Sequence, residues 1–168
     1  MRSDHPLAVL LPEFRAYALA ISDTREEAED LVQEALARAL GAERCPVRSD
    51  ELRPWMFRVI RNLHTDELRK RRVRREYLAD AARLFDDDQR GGEGERDLLV
   101  RLAFEQLPAP AREVLFLVDV MGLKYREAAE VIGVPNGTMM SRVSRARKAL
   151  MQLVEGDEET DVNVSRRI

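Results

Sequence analysis

Nine residues, Asp86 to Gly94 (DDDQRGGEG), constrain this chain more than any other feature. Three adjacent acids and three glycines in so short a run cannot bury apolar area or hold a regular element. On either side the apolar residues recur at three-four spacing, the mark of amphipathic helices. The chain of 168 residues therefore divides into two helical blocks rather than one. Each block is small, and aromatics make up only 5% of the residues, which disfavours a sandwich or barrel. No strand is expected.

In the first block, Leu7 to Ile21 reads as a helix with Leu10, Phe14, Tyr17, Ala18 and Ile21 on one side. Thr24-Arg25-Glu26-Glu27 fits a capping box opening a second helix, whose stripe is Ala28, Leu31, Val32, Ala35, Leu36 and Ala39. Gly41 is placed to stop it. A loop containing Cys45 and Pro46 leads to a long helix from about Asp50 to about Ala82, with Pro54 in its first turn. Met56, Val59, Ile60 and Leu63 mark its core side. After the break, Asp97 to Leu107 is a short helix ended by Pro108 and Pro110. Helices over Ala111 to Met121 and Tyr125 to Ile132 follow. Gly133-Val134-Pro135 forms a tight turn, and a last helix runs from Asn136 to about Val154. The expected architecture is all-α: a helical domain over 1–82, a flexible acidic linker over 83–96, a helix-turn-helix domain over 97–156 and a flexible tail over 157–168.

A net charge of −3 conceals segregation. Arg53 to Arg75 holds nine basic residues and two acids, and Gly137 to Leu150 holds four basic residues and no acid. Asp23 to Glu34 holds six acids and one Arg. Basic blocks of this kind suit a polyanion. On the last helix, Met139, Val143, Ala146 and Leu150 cluster within about 60° and face the core. Ser141, Ser144, Arg145 and Lys148 lie opposite, flanked by Met140 and Arg142. Two helices joined by a short turn containing Gly make a helix-turn-helix, and this outer face can enter a major groove. There Arg can make paired bonds to guanine, while Arg142, Arg147 and Lys148 are placed to meet phosphates.

The long helix carries a different face. Trp55, Arg58, Asn62 and Arg69 share its far side, followed by Lys70 and Arg71. An aromatic ring beside an amide and cations suits single-stranded nucleic acid, on which bases stack while cations hold the backbone. The acidic second helix turns Glu26, Asp30, Gln33 and Glu34 away from its stripe, which is a solvated face or a protein-docking surface.

Four stretches together resemble the extracytoplasmic-function group of bacterial RNA polymerase sigma factors. These are Glu29 to Glu34; Arg53 to Asn62 with Asp66 and Arg69-Lys70-Arg71; Leu107-Pro108 with Arg112 to Leu115; and Tyr125 to Ala129 with Gly137 to Arg142 and Arg145 to Arg147. The resemblance covers about Leu10 to Val154. It implies a sigma factor that directs core RNA polymerase to promoters. Asp30, Gln33 and Glu34 would grip the polymerase. Trp55, Arg58, Asn62, Arg69, Lys70 and Arg71 would hold the melted minus-ten strand, the loop Gly41 to Asp50 and Asn62 forming a pocket for an unpaired base. Met140, Ser141, Ser144 and Arg145 would read the minus-thirty-five element. The resemblance also implies restraint by an anti-sigma factor and a response to stress or another signal.

The alternative from the residues alone is a dimeric helix-turn-helix regulator, which needs a self-complementary apolar surface and an effector or receiver domain; neither stands out. An enzyme is not expected: no carboxylate–metal cluster, phosphate-binding Gly loop or nucleophile–base pair can be placed, and His64 lies on a basic helix. One Cys and two His exclude an intramolecular disulfide and argue against a zinc site. No cofactor or metal is expected. Without a signal-peptide pattern or an apolar run of about 18 residues, a cytoplasmic protein that does not insert in membranes is expected.

Overall fold

The computed structural model describes residues 5–77 and 95–165, with side chains over 5–73 and 99–156. Among these residues the chain is all-α. Three helices form the first domain: α1 (Pro6–Ile21), α2 (Arg25–Gly41) and α3 (Ser49–Tyr77). The second contains α4 (Glu95–Gln106), α5 (Ala109–Leu115), a π turn (Phe116–Val120), α6 (Tyr125–Ile132) and α7 (Asn136–Ser165). Residues 83–94 of the expected linker lie outside the described residues, as do 78–82 at the expected end of the long helix. So do the last three residues of the tail.

Local chemistry sets most boundaries. His5 caps α1 by accepting the Leu7 N–H at 3.3 Å, and Pro6 enters where no N–H is missed. Thr24 accepts the Glu27 N–H at 3.2 Å, but the Glu27 carboxylate reaches one residue further back than a standard capping box, to the Asp23 N–H at 3.3 Å. α2 continues through Gly41 to a cap at Ala42 in extended conformation, so Gly41 is the last helical residue rather than a left-handed stop. α3 starts at Ser49, which puts Pro54 at its sixth residue, in the second turn. The N–H that Pro54 lacks would have met the carbonyl of Asp50, an exposed residue. Gly133 adopts φ +76°, and the N–H groups of Gly133 and Val134 both bond the Ala129 carbonyl, at 2.8 and 3.0 Å. This Gly-dependent closure of α6 sets the angle of the helix-turn-helix.

Two further expectations need correction. The helix expected over Ala111 to Met121 begins at Ala109, tolerating Pro110 at its start, and converts to a π turn at Phe116. The last helix does not stop at Val154: its backbone is helical to Ser165. Gly156 keeps a helical conformation there and no Pro follows, so nothing local terminates the helix.

In the first domain α1, α2 and α3 each pack on the other two, around Phe14, Tyr17, Val32, Met56, Phe57 and Ile60. In the second, α7 is the axis on which α4, α5 and α6 pack, with Val114, Leu117, Val131, Met139 and Val143 inside. The two domains are not apart. α6 lies along α3, and α5 and the π turn meet α1, so the buried residues of both domains join into one cluster. Phe57, which the periodicity of α3 did not assign to the core, is fully buried. Its ring meets Phe14 edge-on at 5.9 Å and Tyr17 at 4.9 Å.

Candidate nucleic-acid interface

The outer face of α7 follows from the inner one. Met139, Val143 and Ala146 are buried, and Leu150 is packed against the core, as the helical wheel requires. That commitment turns Met140, Ser141, Ser144, Arg145 and Lys148 outward, all exposed, with Arg142 half-buried beside them. Met140 keeps 53% of its surface in solvent. Ser141 donates to the Thr138 carbonyl at 2.9 Å, and Arg145 donates to the Ser141 carbonyl at 3.3 Å, so Arg145 lies back along its own helix. Among the described residues no acid forms an ion pair with Arg142, Arg145 or Lys148. The face offers cations, small donors and one thioether, the groups that meet base edges and phosphates in a major groove.

Arg147 is different. Its guanidinium forms a two-pronged ion pair with Asp119 of the π turn and donates to the Tyr125 hydroxyl at 3.3 Å. The hydrogen bond to Asp119 raises its pKa further, so it remains charged while tied to the scaffold. It fixes α7 against the π turn and α6 and is not a free phosphate contact in this arrangement. Only tertiary folding could reveal this, because Asp119 lies 28 residues away.

On α3 the expected residues divide. Arg58, Asn62, Arg69 and Lys70 are exposed. Trp55 is half-buried and packs against the core, so it is not a bare stacking platform here. It sits in a groove with Pro46, Asp50, Pro54 and Arg58 on one wall and Lys124, the N-cap of α6, with Arg126, Glu127 and Glu130 of α6 on the other. The loop before α3 reaches this groove through Pro46. Asn62, one turn beyond Arg58, does not line it, so loop and Asn62 do not close a common pocket in this arrangement. The basic run is largely matched by acids: Arg69 meets Asp66 at 3.6 Å, Lys70 meets Glu67 at 4.0 Å, and Arg71 bonds both Glu67 and Glu27. The Glu27 hydrogen bond raises the Arg71 pKa and ties α3 to the start of α2.

On α2, Asp30, Gln33 and Glu34 are exposed on the side away from Val32 and Ala35, with Glu34 pairing with Arg38 at 3.0 Å. Among the described residues no helix is long and apolar enough to cross a membrane.

Comparison with known proteins identifies the family. The family description "Sigma-70 region 2" matches residues 8–74, and "Sigma-70, region 4" matches residues 97–150. The ECF RNA polymerase sigma factor EcfG of Rhodopseudomonas palustris is 37% identical over 165 residues, spanning 96% of this chain and 88% of that protein. SigC of Mycobacterium tuberculosis, also an ECF sigma factor, is 39% identical over 137 residues, 79% of this chain and 73% of its own length. The sigma factor RpoE of Bartonella quintana, solved in complex with the anti-sigma factor NepR, shares the fold with a TM-score of 0.65 at 30% identity, covering 89% of this chain and 94% of that one. The chain belongs to the extracytoplasmic-function group of RNA polymerase sigma factors. It is a transcription initiation factor that directs core RNA polymerase to promoter DNA.

Proposed function

We propose that the two domains divide promoter recognition and that an anti-sigma factor holds them in check. The first domain, 1–82, docks on core polymerase through Asp30, Gln33 and Glu34, and engages the melted minus-ten strand through Trp55, Arg58, Asn62, Arg69, Lys70 and Arg71. The second, 97–156, sets α7 in the major groove of the minus-thirty-five element. Met140, Ser141, Ser144 and Arg145 meet base edges there, and Arg142 and Lys148 meet phosphates. Arg147 supports that helix from behind through Asp119. Residues 83–94, before α4 begins at Glu95, link the two. The protein acts without catalysis of its own.

The observation that carries this reading is the outer face of α7, exposed and, among the described residues, without an acid partner, beyond the left-handed turn at Gly133. Restraint by an anti-sigma factor is supported by the likeness to RpoE, whose solved complex contains NepR. Release from it would make the response signal-dependent, with stress as the expected signal.

The test is multi-round transcription by purified core RNA polymerase on a library of random upstream sequences, with and without this protein. Discrete starts that require the protein, enriched for two unlike elements, are expected. A palindrome protected without polymerase, and no protein-dependent starts, would instead mark a dimeric regulator.

A further inference from the structure

The junction between the domains holds polar groups that neither DNA face uses. Glu113 of α5 reaches into the first domain, where one carboxylate oxygen accepts the Tyr17 hydroxyl at 2.9 Å and the Arg61 Nε–H at 2.9 Å. The Glu113 side chain is only 15% exposed, and Tyr17 is fully buried. Burial, reinforced by the Glu113 charge, raises the Tyr17 pKa well above its ordinary value, so the hydroxyl remains a donor. Two turns earlier on α3, Arg53 bridges the Glu13 carboxylate of its own domain and the Met121 carbonyl of the other. That carbonyl stands at the end of the π turn, just before Gly122 takes φ +67°, where helical partners run out. The Phe116 ring of the π turn lies 6.3 Å from the Tyr17 ring.

The same contacts set α6 beside the part of α3 that carries Trp55 and Arg58. Lys124, Arg126, Glu127 and Glu130 form the opposite wall of that groove. Two acids and two bases make that wall charge-balanced, and its side chains stand beside Trp55 and Arg58, where a nucleic-acid strand would have to pass. The reading face of α7 remains open.

We propose that Glu113, held by Tyr17 and Arg61, and Met121, held by Arg53, form an intramolecular clasp that closes the free protein against its own melted-strand surface. This inference rests on the assignment of Trp55 and Arg58 to the melted strand made above. Clasp formation removes the charged groups from water, and separation returns their hydration, which offsets much of what the pairs contribute. The clasp therefore fixes a docking register while leaving the closed state reversible. Opening it gives the domains the independence that docking on two promoter elements requires. The upstream element can be read by the closed form, and the clasp acts on polymerase docking and melting.

The test uses the full chain without an anti-sigma factor. Small-angle scattering reports domain separation, and titration with core RNA polymerase reports affinity. The free wild-type protein is expected to be compact. A chain carrying Glu113→Gln and Tyr17→Phe should expand and bind core polymerase about fivefold more tightly, as the fraction of binding-competent molecules rises. Arg61→Glu should also open the protein. Arg61→Glu combined with Glu113→Arg should close it again, which separates loss of the clasp from loss of the fold. An extended wild type, a double variant as compact as wild type, an opened variant with unchanged affinity, or a charge swap that fails to restore closure would overturn the clasp. Library transcription by the same proteins distinguishes the two readings. Equal protein-dependent starts from closed and opened chains overturn the clasp alone, whereas no starts from either overturn the sigma assignment and the clasp with it.

Discussion

Two basic helices, α3 and α7, use their charges in opposite ways. α7 commits one narrow stripe to the core and leaves Arg142, Arg145 and Lys148 without an acid partner among the described residues. α3 is packed by α1 and α2 on one side and by α6 on another, and Arg53, Arg61, Arg69, Lys70 and Arg71 all meet carboxylates. A run of basic residues is thus not a measure of free positive charge. Among the described residues most of the cations of α3 are held by acids, because a helix shared between two domains must satisfy neighbours on several sides.

The largest test of this contrast is in the packing. Phe57→Ala should destabilise the protein by about 3–5 kcal/mol, since its ring backs Tyr17, which in turn meets Phe116 of the other domain; Met139→Ala, a loss inside one domain, should cost about 2–5 kcal/mol. Urea unfolding measures both. Separate transitions for the two domains in Phe57→Ala, with a single one in Met139→Ala, would sharpen the distinction, and the reverse would break it.

Arg145→Ala should cost about 1–3 kcal/mol on the upstream element and relax preference at its contacted base. Promoter selection from a randomised upstream element checks this. An unchanged consensus would remove Arg145 from readout.

Salt dependence separates free cations from paired ones. Arg142→Ala should lower the slope of log K against log salt by about 0.9, the value for one phosphate contact on duplex DNA. Arg147→Ala should leave the slope nearly unchanged and cost about 1 kcal/mol or less in stability, since the Asp119 pair is half-exposed. Neutralising Arg69 and Lys70 together should flatten the slope by less than two free phosphate contacts would. A full two-contact change would show that their acid partners release them on DNA.

The smallest effect concerns pH. Burial lowers the pKa of His64 on α3, opposed by Glu113, Asp23 and Glu27, while Arg71 adds to the depression. The unfolded state then binds more protons than the folded one between the lowered value and about 6.5, so His64 contributes to stability loss as pH falls through that window. His64→Gln should reduce the pH dependence of the melting temperature there. An identical pH dependence would mean that His64 is not sheltered.

The sequence itself determined the helices and the inward stripe of α7. Those features rest on periodicity, capping and turn chemistry, which act over a few residues. Asp30, Gln33 and Glu34 were legible as exposed for the same reason: Val32 and Ala35 had to be buried. Only the tertiary structure decided that Phe57 is core, that Trp55 lies in a groove against α6, that Arg147 belongs to Asp119 and that Glu113 joins Tyr17 and Arg61. Glu113 could be noted as an acid beside the apolar Val114 and Leu115, but its partners lie 96 and 52 residues away. Local patterns specify which face of a helix is apolar. Which charges find each other across two domains is set by how those faces pack.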